Sequence, residues 1–241
     1  MKTLVFALLF ATVSSVSQTV TEFVDPFIGT GTYGHTFPGA VRPWGMVSVS
    51  PHTAPGSPSG YVWGSPYFRG FGHVHLSGTG CADLGSVLLT AVRGTTPENP
   101  ADTRCTYGSE AASPGYYRVT LLEPGLHVEV TATKRSGLTR FTSIKSGDII
   151  VLLNAGTSLA LDGGGSVRFI PGGAVEGYSI SGGFCGETNR QTVYFFAQFS
   201  KQVVSSGVWQ GTSVSADLAI SAVDIPLGAW LRFTMNEGDE L

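Results

Sequence analysis

Thirty-three glycines and 13 prolines interrupt the 241-residue chain so often that no long helix can form. Only residues 187–206 lack both breakers for long enough to hold a sizeable helix, and the Val193-Tyr194-Phe195-Phe196 run there favours a buried strand. Hydrophobic residues make up 42% and charged residues 13%, so a real core is expected rather than a disordered chain. Short apolar segments between turns predict an all-β protein: a large two-sheet antiparallel β-sandwich of about a dozen strands.

The first segment, Met1–Ser17, reads as a secretory signal. Lys2 supplies the positive start, Leu4 to Phe10 the apolar stretch, and Ser15-Val16-Ser17 the small residues before a cut. Seven apolar residues fall far short of the ~20 that span a bilayer, so no membrane span is expected. A secreted or periplasmic/extracellular protein is predicted, with residues 18–241 as one domain.

The formal net charge is −3 and the basic residues are scattered. This excludes a phosphate-binding surface and hence nucleic-acid partners, which need clustered cations. Gly29-Thr30-Gly31-Thr32-Tyr33-Gly34 fits the dinucleotide spacing, but Pro38 and Pro43 forbid the helix that would hold a pyrophosphate.

Residues 21–79 read as ordered loops packed over a sheet. They carry Phe27, Phe37, Trp44, Tyr61, Trp63, Tyr67 and Phe68 among many breakers. Strands are expected at 72–77, 86–92, 116–122, 126–133, 138–144, 148–154, 167–170, 174–181, 192–199, 215–222 and 229–235. In 126–133, Leu126, Val128 and Val130 alternate with His127, Glu129 and Thr131, the pattern of a half-buried strand. Residues 148–154 are apolar through five positions and belong at a sheet centre. Asn236-Glu237-Gly238-Asp239 reads as a turn, with Glu240 and Leu241 opening a second hairpin arm, which predicts a domain truncated at its C-terminal edge.

Cys81, Cys105 and Cys185 allow one disulfide and one thiol, or three thiols; Cys81 and Cys105 are the nearest pair in sequence. His73 and His75, two apart on an expected strand, share a face with Val74 opposed. Such a pair can ligate a metal if Asp83 or His35 joins it, donate to sugar hydroxyls, or hold loops together. Asp83 can accept backbone N–H groups or position a ligand. Trp44, Tyr61, Trp63 and Tyr67 can stack on a sugar face or pack the loops. Arg42 can fork onto a carboxylate or form an ordinary ion pair. No two carboxylates are paired by their spacing, so a complete glycosidase machine is not visible.

Three stretches carry a resemblance. Phe23 to Gly31, Gly34 to Ala40 and Arg42 to Met46 resemble the start of glycoside hydrolase family 92, the calcium-dependent exo-acting α-mannosidases. His73, His75 to Cys81, Asp83 and Gly85 resemble its second signature, and Ser113-Pro114-Gly115-Tyr116-Tyr117 a third. Four positions depart from the pattern: Gly72 and Val74 replace Ser and Thr, His52 follows Ser50-Pro51 where Asp is usual, and Ser86 stands where Asp is common. The resemblance implies an N-terminal sandwich and a C-terminal (α/α)6 barrel absent from this chain. It also implies inverting hydrolysis of terminal α-linked mannose on mannose-containing glycans. The acid, the base and most Ca2+ ligands would lie in the barrel, and the isolated chain would be inactive. The pocket residues carried over are Trp63, His73, His75 and Asp83, with Arg42 and His35 behind them. The alternative is a free-standing carbohydrate-binding module without catalysis.

Overall fold

A computed structural model describes residues 20–54 and 56–241; the expected signal segment, Met1–Ser17, lies outside them. In chain order the strands are β1 (Ala40–Val41), β2 (Ser48–His52), β3 (Gly70–Gly72), β4 (Val74–His75), β5 (Leu84–Ser86) and β6 (Leu88–Arg93). There follow β7 (Tyr107–Ser113), β8 (Tyr116–Leu121), β9 (Leu126–Ala132), β10 (Gly137–Ser143), β11 (Gly147–Asn154) and β12 (Gly164–Ile170). The last are β13 (Ala174–Gly182), β14 (Arg190–Ala197), β15 (Ser205–Gln210), β16 (Ser213–Ser215), β17 (Ala219–Val223) and β18 (Leu227–Met235). Helical turns among the described residues are short 3-10 pieces such as Pro100–Asp102.

One layer is an eight-stranded sheet in the order β1-β2-β3-β6-β11-β18-β15-β16. Strand β11 sits near its middle, between β6 and β18, and Ile149 to Leu153 are buried as their unbroken apolar run requires. The facing layer is divided into two four-stranded sheets, β10-β9-β8-β7 and β14-β13-β12-β17. All pairings are antiparallel, and one hydrophobic core joins the layers, with Val128 and Tyr117 on one side, Val151 and Phe233 in the large sheet, and Val167 and Val175 beyond. The all-β sandwich therefore holds, with one layer split. Leu126, Val128 and Val130 of β9 point into it, and Pro124-Gly125 turns the hairpin from β8.

Several local expectations change. The strand expected at 72–77 breaks at His73, because β3 ends at Gly72 while β4 pairs with β5 across a bulge at Val74/His75. Val87, with φ +58°, splits the next expected strand into β5 and β6. Within the first loop region, β1, β2, β3 and β4 form short strands that extend the eight-stranded sheet or cap it. Strands β7 and β15 were not foreseen, and the segment at 215–222 divides into β16 and β17. The disulfide joins Cys81 to Cys185, not to Cys105. The Cys105 thiol is free and buried, and its backbone bridges Phe68. Burial pushes that thiol up to about 12. At the C-terminal end, Leu241 and Phe141 exchange both backbone hydrogen bonds at 3.0 Å, placing residues 240–241 against the free edge of β10.

Candidate functional site

Strand β2 ends at His52, which pairs with Gly70, and Ser50 lies opposite Gly72. The bulge in β4 turns the His75 ring back over β2. There its Nδ1 lies 3.0 Å from the Ser48 carbonyl and 3.2 Å from the Ser48 hydroxyl, and its Nε2 lies 2.7 Å from Nε2 of His52. A single tautomer set satisfies these contacts. His75 Nδ1–H donates to the Ser48 carbonyl, its Nε2 accepts, and His52 Nε2–H donates to it.

The pair is neutral. Burial pushes His75 down to about 4, outweighing the Ser48 hydrogen bond that favours its charged form. His52 is held well below the usual imidazole range, first by burial and then by repulsion from His75, His73 and Arg69. Three glycines enclose the two rings. A Cβ on Gly72 would lie 2.6 Å from His52 Nε2 and 2.8 Å from His75 Nε2, while one on Gly60 or Gly85 would press on the His52 ring. Two departures from the family pattern, His52 and Gly72, therefore meet in space: the bare α-carbon makes room for the second imidazole.

His73 does not join this pair. It lies between β3 and β4, outside both strands, with Nδ1 2.7 Å from the Val87 carbonyl and its ring above Gly137 of β10. Burial lowers its pKa as well. The expected shared face of His73 and His75 is replaced by two separate sets of neighbours.

Three loops converge around His75. The Phe37 ring packs on His75 with centroids 5.0 Å apart. The His35 carbonyl accepts the Gly78 N–H, and His35 itself adopts a left-handed φ of +56° with its Nδ1 buried and unpartnered among the described residues. Trp63 donates its backbone N–H to the Thr30 carbonyl, meets Phe27 edge-on at 4.8 Å, and leaves 54% of its surface open. Trp63, His35 and His75 thus stand on loops tied to one another. Arg42 does not enter this group; it sits on the turn after β1, next to a fully solvent-facing Trp44, and its carbonyl accepts the Gly45 N–H.

Asp83 is buried and consumed by the protein itself. One oxygen accepts the Leu84 N–H at 2.6 Å, and the other accepts Gln191 Nε2 at 2.7 Å and Asn189 Nδ2 at 3.3 Å. It braces the β4–β5 loop to β14 beside the Cys81–Cys185 bridge, flanking a cavity of about 560 Å³ that also touches Leu76, Phe184 and Glu187. A second, half-buried polar knot lies outside the expected site: the Glu110 carboxylate accepts the hydroxyls of Tyr61 at 3.0 Å and Tyr117 at 2.8 Å. Glu110 is carried there by the β7 bulge, where Ser109 has φ +51°.

Calcium takes six to eight oxygen ligands, and the central side chains here are imidazoles. Asp83 already accepts three protein donors, and among the described residues no group of three or more His, Cys, Asp or Glu could hold a metal ion. These residues do not fit a calcium site. Of the other carboxylates, Asp25 accepts the Phe27 N–H, and Glu176 is paired with Arg168. The cluster fixes loops and presents an aromatic face.

Comparison with known proteins gives four findings. The sequence profile of the glycosyl hydrolase family 92 N-terminal domain matches residues 23–241. The fold superimposes on a family GH92 alpha-mannosidase, BT3965 from Bacteroides thetaiotaomicron, solved in complex with mannoimidazole: TM-score 0.83, 29% identity, covering 92% of this chain and 31% of that one. A second GH92 glycosyl hydrolase, ccman5, shares the fold with TM-score 0.76 at 24% identity, over 88% of this chain and 30% of that one. An uncharacterized secreted glycosidase of Arthroderma benhamiae is 30% identical over 138 residues, 51% of this chain and 17% of its own length. The chain thus spans about a third or less of the relatives it matches.

Proposed function

Because the chain belongs to glycosyl hydrolase family 92 through its N-terminal domain, we propose that it is the sandwich domain of a longer, exported α-mannosidase. Its loops supply one wall of a pocket for the terminal mannose of glycans. The observation that carries this reading is the convergence of the half-open Trp63 face with the loops that hold His35 and His75, on a scaffold matching a mannosidase over 92% of this chain.

The chemistry divides between domains. Inversion needs two carboxylates about 6.5–9.5 Å apart on opposite faces of the sugar. In the described cluster the imidazoles are neutral and buried, and Asp83 is occupied. In this reading the acid, the base and the calcium belong to the barrel of the longer protein. Trp63 offers a flat apolar face for the sugar ring, and the buried pair beneath keeps the loops in register.

Purified full-length protein and the 241-residue chain are to be compared on an aryl α-mannoside with calcium, following the product anomer by NMR. Release of β-mannose by the full-length protein alone is expected. Calcium-dependent turnover by the 241-residue chain would overturn the division of labour, and tight mannose binding by it without need of a second domain would favour a free-standing binding module.

A further inference from the structure

The split in the second layer leaves two strand edges facing one cleft. β10 is the outermost strand of its sheet and β14 of the other. Both line a cavity of about 620 Å³ whose floor includes His73, Val87 and Leu153 of the opposite layer. Val193, Phe195 and Ala197 of β14 point inward yet are only partly covered, although they pack on the core. Unpaired edges beside uncovered apolar side chains are unstable against strand addition.

At the mouth of this cleft residues 240–241 pair with the edge of β10. Leu241 is buried at the cavity wall, and its N–H and carbonyl exchange hydrogen bonds with Phe141, next to the Thr142–Glu240 bridge. By the two-residue period of an antiparallel ladder, the N–H and C=O groups of Thr139 and Gly137 face the same open side as those of Phe141. The Thr139 hydroxyl also borders the cavity, buried and without a partner among the described residues.

We propose that the cleft is a strand slot, filled by an extended segment of the same polypeptide that leaves Leu241, runs antiparallel to β10 and joins its edge to that of β14. The two four-stranded sheets then become one continuous layer. The pairing of Phe141 with Leu241 fixes the register, so every second residue of the segment, in phase with Leu241, is apolar and packs against Phe195 and Leu153. The proposal rests on the reading of the chain as one domain of a longer protein; its own grounds are the two free edges and the pairing at their mouth.

The test extends the whole chain after Leu241 by Thr-Val-Thr-Val-Thr, which directs its valines inward, or by the phase-shifted Val-Thr-Val-Thr-Thr. Amide exchange is read by NMR at Thr139 and Gly137. The in-phase extension is expected to slow both amides at least about tenfold, and the shifted one to leave them fast. Unchanged exchange with both extensions would overturn the slot. So would protection of the unextended chain that grows with concentration, since a second copy would then be the occupant. Mannoside hydrolysis by the full-length protein reports on the proposed function separately: protection without hydrolysis sinks only that reading, and hydrolysis without protection sinks only the slot.

Discussion

His52 and His75 share a single hydrogen bond, Nε2 to Nε2 at 2.7 Å, in the floor beneath the loops that carry Trp63 and His35. Neither ring can take a proton there without paying for burial beside its neighbour, and this sets how the domain responds to acid.

Stability is expected to fall as pH drops from about 6.5 to about 4. A histidine whose folded pKa lies below its unfolded value binds fewer protons folded than unfolded, so the unfolded state gains as pH falls through that window. His75, pushed from 6.5 to about 4, contributes a slope of roughly 1.4 kcal/mol per pH unit, with His52 acting in the same direction. Below the folded value the loss levels off. Urea unfolding at half-unit steps measures it, and a curve flat between pH 6.5 and 4.5 would contradict the buried neutral pair.

Gly72→Ala is expected to destabilise the domain by about 1–3 kcal/mol, the usual cost of forcing atoms into a filled core. The added carbon would sit 2.6 Å from the His52 ring. In a His52→Ala background the same change is expected to cost markedly less, and a double-mutant cycle reads the coupling. Additive effects would mean that Gly72 is there for another reason.

Asp83→Ala removes the acceptor shared by Leu84, Asn189 and Gln191. The Leu84 N–H and the Gln191 amide are half-buried and the Asn189 amide is exposed, so the cost is set mainly by the first two, about 1–3 kcal/mol. A loss of at least that size in chemical denaturation is expected, with unchanged binding of free calcium. Calcium affinity that disappeared with the carboxylate would instead make Asp83 a ligand.

Reduction of the Cys81–Cys185 bridge frees residues 104 apart in sequence. The loss of loop closure is expected to cost about 2–5 kcal/mol. Thermal melts with and without reductant check this, and Cys105→Ser serves as the control that leaves the bridge in place.

Trp63→Ala, in the full-length protein, is expected to raise KM for a terminal mannoside several-fold while leaving the fold intact, because half of the ring faces solvent. A change in kcat alone, with KM untouched, would remove Trp63 from the sugar wall.

The elements legible in the sequence were those whose burial follows a simple period. β9 alternates and β11 is apolar throughout, and both lie where that pattern puts them. β7 was hidden because Tyr107-Gly108-Ser109-Glu110 carries a bulge and a polar knot instead of alternation. The shared face of His73 and His75 failed for a similar reason. The two-residue period assumes an unbroken strand, and the chain leaves the ladder at His73 and bulges at the next step. The His52–His75 contact joins residues 23 apart across two strands, and no local pattern announces it. The glycine cradle that admits the second imidazole is visible only in three dimensions.

The sequestered Cys105 thiol carries a consequence for maturation. Burial raises its pKa to about 12 and leaves the thiol within the core, away from the Cys81–Cys185 bond. In the closed sandwich an oxidant would meet a single reachable couple, Cys81 and Cys185.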